Sequence, residues 1–231
     1  MESNIWAVIP ARGGSTGVKR KNIKELNGKP LIAYTIDSLH KSDSFEKVIV
    51  TSDCEDILSV SKKYGADIFL RDNPKESDNI TMTDVPTISC LENFDKEIPD
   101  FAFMVQCTAP FIKAETFNKA CTKLLENPES TVFAAEEAHY FLWKKSNNND
   151  EDSSWETINH PFNSRVGRQF KKEMQVHETG AFYGFKASNF IKAGHRFFND
   201  AYPIIIEGNE SIDIDTNDDW NFADYTSKNM E

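Results

Sequence analysis

Several things are scarce in this chain of 231 residues. No apolar run approaches the roughly 18 residues that cross a bilayer, so no membrane-spanning helix is expected. Cations are outnumbered, 26 Lys and Arg against 37 Asp and Glu, for a formal net charge of −11. Generic nucleic-acid binding is thereby disfavoured, because a phosphate backbone needs clustered cations. Cysteine is sparse and unpaired in pattern: Cys54, Cys90, Cys107 and Cys121 are far apart, with no CxxC spacing. Free thiols in a reducing cytoplasm are the expectation, and a zinc site is not. His139, His160 and His177 are scattered without metal-ligand spacing and read as structural. The start, MESNIWAVIP, lacks a basic segment followed by a long apolar stretch and reads as a first strand rather than a signal peptide. No internal repeat is present.

What is present is a rhythm. Short β-branched and aromatic runs alternate with stretches of helical spacing. Strands are predicted at Ile5–Pro10, Lys47–Ser52, Asp67–Leu70, Phe101–Gln106 and Thr131–Ala135, with helices at Pro30–Leu39, Glu55–Tyr64, Val85–Phe94 and Ala114–Leu125. Such an opening predicts an α/β fold with a mainly parallel sheet covered on both faces. The rhythm breaks after Glu136. The polar run SNNNDEDSS (146–154), flanked by Phe141–Lys145 and Trp155–Ile158, reads as a hairpin tip or mobile loop. Residues 137–174 are expected to form an inserted element used for dimerisation, with the core being 1–136 and 175–231. The core resumes at Gly180–Phe185 and Tyr202–Ile206 and closes with a helix after Thr216.

Ligands of parallel sheets bind at the carboxyl ends of the strands. There the first strand runs into IPARGGSTGVKRKN (9–22). Between Arg12 and Lys29 lie Arg12, Lys19, Arg20, Lys21, Lys24 and Lys29, with only Glu25 opposing them in sequence. Gly13, Gly14 and Gly17 are expected to adopt positive φ and let backbone N–H groups approach an anion. Ser15 and Thr16 add hydroxyls. A nucleoside triphosphate suits this combination. The P-loop pattern is absent, because Val18 and Lys19 stand where Gly and Lys are wanted, and GxGxxG is absent too. Lys24 reads as solvated.

A second constellation is SIDIDT (211–216). In an extended segment, residues two apart share a face, so Asp213 and Asp215 point one way while Ile212 and Ile214 face the core. Two carboxylates beside a triphosphate are apt ligands for Mg²⁺. A solvated acidic turn is the plainer alternative. Thr216 with Asp219 three residues on resembles a capping box, so Asp218 and Asp219 need no catalytic role.

The stretch IPARGGSTGVKRKNIKELNGKPLIAYTI (9–36) resembles the N-terminal signature of the acylneuraminate cytidylyltransferases, enzymes that join CTP to a 2-keto-3-deoxy sugar acid. VQCTAP (105–110), HETGAFY (177–183) and SIDIDT follow in the family's order. The resemblance spans essentially the whole chain. It implies a Rossmann-like nucleotidyltransferase that uses CTP and Mg²⁺ to make a CMP-nonulosonic acid in the cytoplasm, as a homodimer and as a stand-alone bacterial-type synthetase with no domain after Glu231. It places the nucleotide on Ala11, Arg12, Gly13, Gly14, Ser15, Lys21, Asn22 and Asp78, and the metal on Asp213 and Asp215. Arg12 and Lys21 hold phosphates; Asp213 or Asp215 takes a proton directly or through metal-bound water. The sugar acid falls to Gln106, Thr108, Thr179 and Gly180, with Arg165 or Arg168 reaching a partner's site.

The chain also departs from that pattern. Cys107 replaces a usual proline, Phe111-Ile112 stand where an arginine commonly follows (Lys113 is the nearby substitute), and Thr179 replaces an asparagine. Cys107 reads as inert. Two other readings stay open: activation of an eight-carbon keto-deoxy sugar acid, and a CTP-binding sensor without turnover.

Overall fold

The computed structural model describes residues 3–15, 17–71, 83–164, 167 and 174–230. Two compact units emerge: Met1–Ala135 with Glu178–Glu231, and Glu136–His177.

The larger unit is built on a seven-stranded sheet of order β11-β7-β10-β6-β1-β4-β5. Its strands are β1 (Ile5–Pro10), β4 (Lys47–Ser52), β5 (Asp67–Leu70), β6 (Phe101–Val105), β7 (Thr131–Glu137), β10 (Val176–Lys186) and β11 (Ala201–Ile205). β1 pairs in parallel with both β4 and β6, and β4 with β5; β11 pairs in parallel with β7. Against β6, β10 runs antiparallel. The sheet is therefore mostly parallel, as the alternating pattern predicts.

Burial explains the runs of strand. Trp6, Ala7, Val8 and Ile9 are almost wholly buried, as are Ala102 to Val105, because helices cover both faces. Odd and even residues separate the two layers. Ile5, Ala7 and Ile9 pack with Phe103, Phe117 and Phe182, while Trp6 and Val8 pack with Met104, Tyr183 and Phe185. The covering helices are α1 (Leu31–Lys41), α2 (Glu55–Lys63), α3 (Asp84–Asn93), α4 (Ala114–Glu126), α5 (Ala187–Ala193) and α6 (Asn217–Asn229). A two-residue ladder, β2 (Glu25–Leu26) with β3 (Lys29–Pro30), leads into α1.

Neighbours β4 and β6 flank β1 on opposite sides, so the chain reverses its winding direction between β1 and β6. That reversal opens a crevice at the carboxyl ends of these two strands, where ligands of such sheets bind. The first motif follows β1, and Gln106-Cys107-Thr108 follows β6.

The smaller unit contains the hairpin β8 (Trp143–Lys145) and β9 (Trp155–Thr157), with Lys144 opposite Glu156 and their charged ends 3.0 Å apart. The run 146–154 is its tip, closed by the Ser146 N–H donating to the Ser154 carbonyl at 2.9 Å. His160 is held edge-on by Phe141 and Trp143, and His177 by Tyr140. His177 is also exposed, with Glu136 3.3 Å from its ring nitrogen. Among the described residues no three His, Cys, Asp or Glu side chains gather to hold a metal.

Candidate active site

The segment after β11 crosses the mouth of the crevice. The Ile214 N–H donates to the Thr108 carbonyl at 2.9 Å, which ties the segment to the end of β6. Ile212 and Ile214 are buried against Val18, Leu26, Leu31 and Phe111, while Asp213 and Asp215 stay solvent-exposed. The alternation therefore turns both carboxylates to the outer side. Lys21 comes from the first motif to meet them. Its ammonium donates to the Ile214 carbonyl and lies 3.0 Å from Asp215 Oδ1. The two motifs, 193 and 194 residues apart along the chain for these contacts, thus close into one site. A cleft of about 520 Å³ opens beside them, lined by Asp213, Asp219, Asn209, Ser211 and Phe222 among others.

Asp213 is held above the usual carboxylate range. Desolvation is the main cause although the residue still reaches solvent; nearby Asp215 and Asp219 add to it, and a hydrogen bond from Thr108 and the Lys21 charge oppose it. Two neighbouring carboxylates, one of them paired with an ammonium, form an electron-rich pair. That donor set fits Mg²⁺, which takes one or two protein carboxylates and completes its shell with phosphate oxygens and water.

The first motif differs in detail from its expected form. Gly13, Gly14 and Gly17 do not have positive φ. The Gly13 N–H donates to Asp53 Oδ1 at 2.8 Å rather than to open space. Gly13 and Gly17 are required by crowding instead. A Cβ at Gly13 would lie 2.9 Å from Cys54 Cβ, and one at Gly17 would lie 2.0 Å from the Asp215 carbonyl oxygen. Gly14 has open space where a Cβ would stand. Of the basic residues, Arg20 pairs with Asp56 at 2.6 Å and Lys29 with Asp37, while Lys24 is exposed to solvent, its ammonium 3.9 Å over the Trp220 ring. These carboxylates lie on α1 and α2, so the apparent charge excess is partly answered by tertiary partners.

Asn22 is buried, and its amide is spent internally: Nδ2 donates to the Arg12 carbonyl at 3.0 Å, and Oδ1 accepts from the Cys107 thiol at 3.4 Å. These two bonds tie the loop after β1 to the end of β6. Ala11 is buried at the strand end, and Arg12 and Ser15 are partly exposed beside it. Cys107 is buried and its thiol is pushed up to about 12 by desolvation, so it is no nucleophile at neutral pH.

The sugar-side residues gather at the β6 and β10 ends. Gln106 Nε2 donates to the Gly180 carbonyl at 2.8 Å. Gly180 has φ +77, which disfavours any side chain there. Thr179 donates its hydroxyl to the Ala134 carbonyl at 3.2 Å, so that proton is already used within the sheet. Thr108 serves the Asp213 segment through both its carbonyl and its side chain. Phe111 and Ile112 are buried in the core, while Lys113 beside them is exposed. Asp78, Arg165 and Arg168 lie outside the described residues.

Some supporting residues escape a reading of the sequence. Arg71, at the end of β5, donates to the Ala11 carbonyl at 3.3 Å and lies 3.6 Å from Asp53, which in turn holds Gly13. The only hint is position: Asp53 and Arg71 directly follow parallel strands, at the ligand-binding edge of the sheet.

The winding reversal at β1 and β6, the basic loop after β1 and the carboxylate segment that Lys21 joins to it mark the class of a nucleotidyltransferase. Residues 6–197 match the family model described as cytidylyltransferase, and the chain belongs to that family. It is 32% identical to a pseudaminic acid cytidylyltransferase of Campylobacter jejuni, across 94% of this chain and 93% of that protein. It is 29% identical to an N-acylneuraminate cytidylyltransferase of Escherichia coli, across 96% of this chain and 52% of that one. Among solved structures, CMP:2-keto-3-deoxy-manno-octonic acid synthetase complexed with CTP superposes with a TM-score of 0.73 over 98% of this chain and 99% of that one; at 13% identity the likeness concerns the fold.

Proposed function

We propose that this cytidylyltransferase activates a nonulosonic acid with CTP, giving the CMP-sugar and pyrophosphate. The observation that carries the reading is the contact of Lys21 with the Asp215 segment, which brings a phosphate-binding loop and a carboxylate pair together. The anomeric hydroxyl of the sugar acid attacks the α-phosphorus of CTP. A new O–P bond forms, the bond to the β-phosphate oxygen breaks, and the hydroxyl proton passes to a carboxylate of the pair. No covalent enzyme intermediate is needed, so catalysis rests on positioning and charge. Arg12 and Lys21 hold phosphate oxygens. Asp213 and Asp215 are the residues that would hold Mg²⁺, whose charge offsets the negative charge gathering on the leaving pyrophosphate. Gln106 and Gly180 form the sugar side.

The sugar class follows from the resemblance to the Campylobacter jejuni protein over nearly its full length. We place the enzyme in the cytoplasm, a reading supported by four free cysteines, and no helix among the described residues is long and apolar enough to cross a membrane. We further propose a homodimer formed through the unit Glu136–His177, where Trp155, Ile158 and Phe162 are exposed.

The test is pyrophosphate release with CTP, Mg²⁺ and a panel of pseudaminic, legionaminic and sialic acids alongside eight-carbon keto-deoxy acids. Release with a nonulosonic acid, lost in Asp213→Ala and Asp215→Ala, is expected. Preference for an eight-carbon acid would overturn the sugar class. CTP binding with no release from any acid would point to a sensor.

A further inference from the structure

Asp219 stands in the first turn of α6. Its carboxylate completes the capping box, accepting the Thr216 N–H at 2.7 Å and the Thr216 hydroxyl at 2.8 Å, both on Oδ2. The same oxygen also accepts the Asp215 N–H at 3.0 Å. That third bond reaches one residue upstream of the cap and contributes nothing to closing the helix. Its effect falls on the segment Asp213–Asp215. There the main chain is held from three sides. Thr108 accepts the Ile214 N–H, Lys21 donates to the Ile214 carbonyl, and Asp219 accepts the Asp215 N–H. The Asp215 side chain itself is largely solvated, at 74% exposure, so its direction is set by its backbone more than by packing.

We infer that Asp219 is a positioning residue for the Asp213–Asp215 pair. By fixing the main chain at Asp215, it keeps the two carboxylates turned toward one shared cation. The inference rests on reading that pair as the metal site. Asp219 acts through Asp215 and is not itself a ligand. Partners that orient metal ligands in this way typically cost 10- to 100-fold in metal affinity when removed.

The test uses Mn²⁺ as the probe, following the free-ion electron paramagnetic resonance signal during titration of the full chain with CTP present and no sugar. Wild type, Asp213→Ala, Thr216→Ala, Asp219→Ala and Asp219→Asn are compared, and a thermal melt is recorded for each. Asp219→Ala is expected to weaken Mn²⁺ binding beyond CTP alone by about tenfold. Thr216→Ala breaks the cap but leaves the Asp215 bond, so it should lower Tm and leave Mn²⁺ affinity within about twofold of wild type. Asp219→Asn keeps an acceptor oxygen and should recover most of the affinity, which also serves if the alanine variant does not fold.

Equal Mn²⁺ affinity in Asp219→Ala and Thr216→Ala would reduce Asp219 to a helix cap and overturn the inference. A loss in Asp219→Asn as large as in Asp213→Ala would make the charge a ligand, and overturn it too. If wild type and Asp213→Ala bind Mn²⁺ alike, the metal reading itself fails, and this inference with it.

Discussion

At Lys21 a single ammonium joins the two halves of the site, and its side chain is only 11% exposed. Its ammonium pairs with Asp215, and in the proposed reaction the same charge would meet a phosphate of CTP. Lys21→Ala should therefore lower kcat/KM by roughly 10²- to 10³-fold, the usual cost of removing one preorganised charge-stabilising donor. Steady-state kinetics decide it: a rise in KM with kcat intact would mean the ammonium serves binding alone. Lys21→Arg should not rescue, because a planar guanidinium does not replace a compact ammonium in so enclosed a position. Asp213 carries a second, opposite consequence. Its folded pKa is raised, chiefly by desolvation, so its protonated form is the one the fold favours. Its contribution to stability is complete below the usual carboxylate range of about 4 and is lost as pH rises through the raised value. At neutral pH the ionised side chain is a net strain on the metal-free protein. Asp213→Asn should thus raise Tm at pH 7 while abolishing turnover, and the gain should disappear as pH falls below about 4. Melts of both proteins from pH 3.5 to 7 check the sign, and an unchanged or lower Tm at pH 7 would contradict it.

At the scale of elements, the site depends on how closely one loop can pass another. Gly17 touches the Asp215 carbonyl so closely that a methyl group would overlap it. Gly17→Ala must push the loop off the carboxylate segment, at a cost of about 1–3 kcal/mol for such overpacking. For a chain of this length that lowers Tm by about 2–4 °C per kcal/mol, and calorimetry on the purified variant reads it directly. Gly14→Ala meets nothing within 4 Å and is the matched control, expected to melt as wild type. Much of this architecture was legible in the chain itself. The strands β1, β4 and β6 announce themselves as apolar runs, because burial on both faces demands them. The Ile–Asp alternation of 212–215 correctly separated core from crevice, and Thr216 with Asp219 marked the start of α6. Partnerships distant in sequence were not legible. Nothing near Arg20 or Lys29 predicts Asp56 or Asp37, and nothing near Gly13 predicts Asp53, since the sheet creates those contacts. Positive φ was expected of the loop glycines, whereas space is what Gly13 and Gly17 supply. The helix α5, seven residues long, is too short to show helical spacing, and Gly194 in the left-handed conformation is its clearest mark. The fate of Asn22 was equally hidden, because its partner Cys107 lies 85 residues away.

At the scale of the whole molecule, Ala138 is the only buried apolar side chain among the described residues of the smaller unit, Glu136–His177. Its described residues include a three-residue hairpin ladder, with Trp143 packed edge-on against His160 and Phe162. A single two-stranded hairpin is marginal in water unless it packs on something more. Yet Trp143, Trp155, Ile158, Phe162 and Met174 all stand exposed, at 44%, 55%, 55%, 70% and 64%. Aromatic residues and methionine are the types enriched where one protein covers another. A second copy of the chain is the partner we propose for these residues. Sedimentation velocity at micromolar concentration should then give a species of twice the 26.3 kDa chain mass. Trp155→Glu with Phe162→Glu should shift it toward monomer, because burying an unpaired carboxylate in an interface costs several kcal/mol. The proposed nucleotide site draws on the larger unit, so the monomeric variant is expected to retain CTP binding. If sugar turnover falls with dissociation while CTP affinity stays, the partner contributes to the sugar side of the site; if turnover is unchanged in the monomer, each chain is catalytically complete. A wild type that sediments as a monomer, or a double variant that remains a dimer, would remove this surface as the dimer interface.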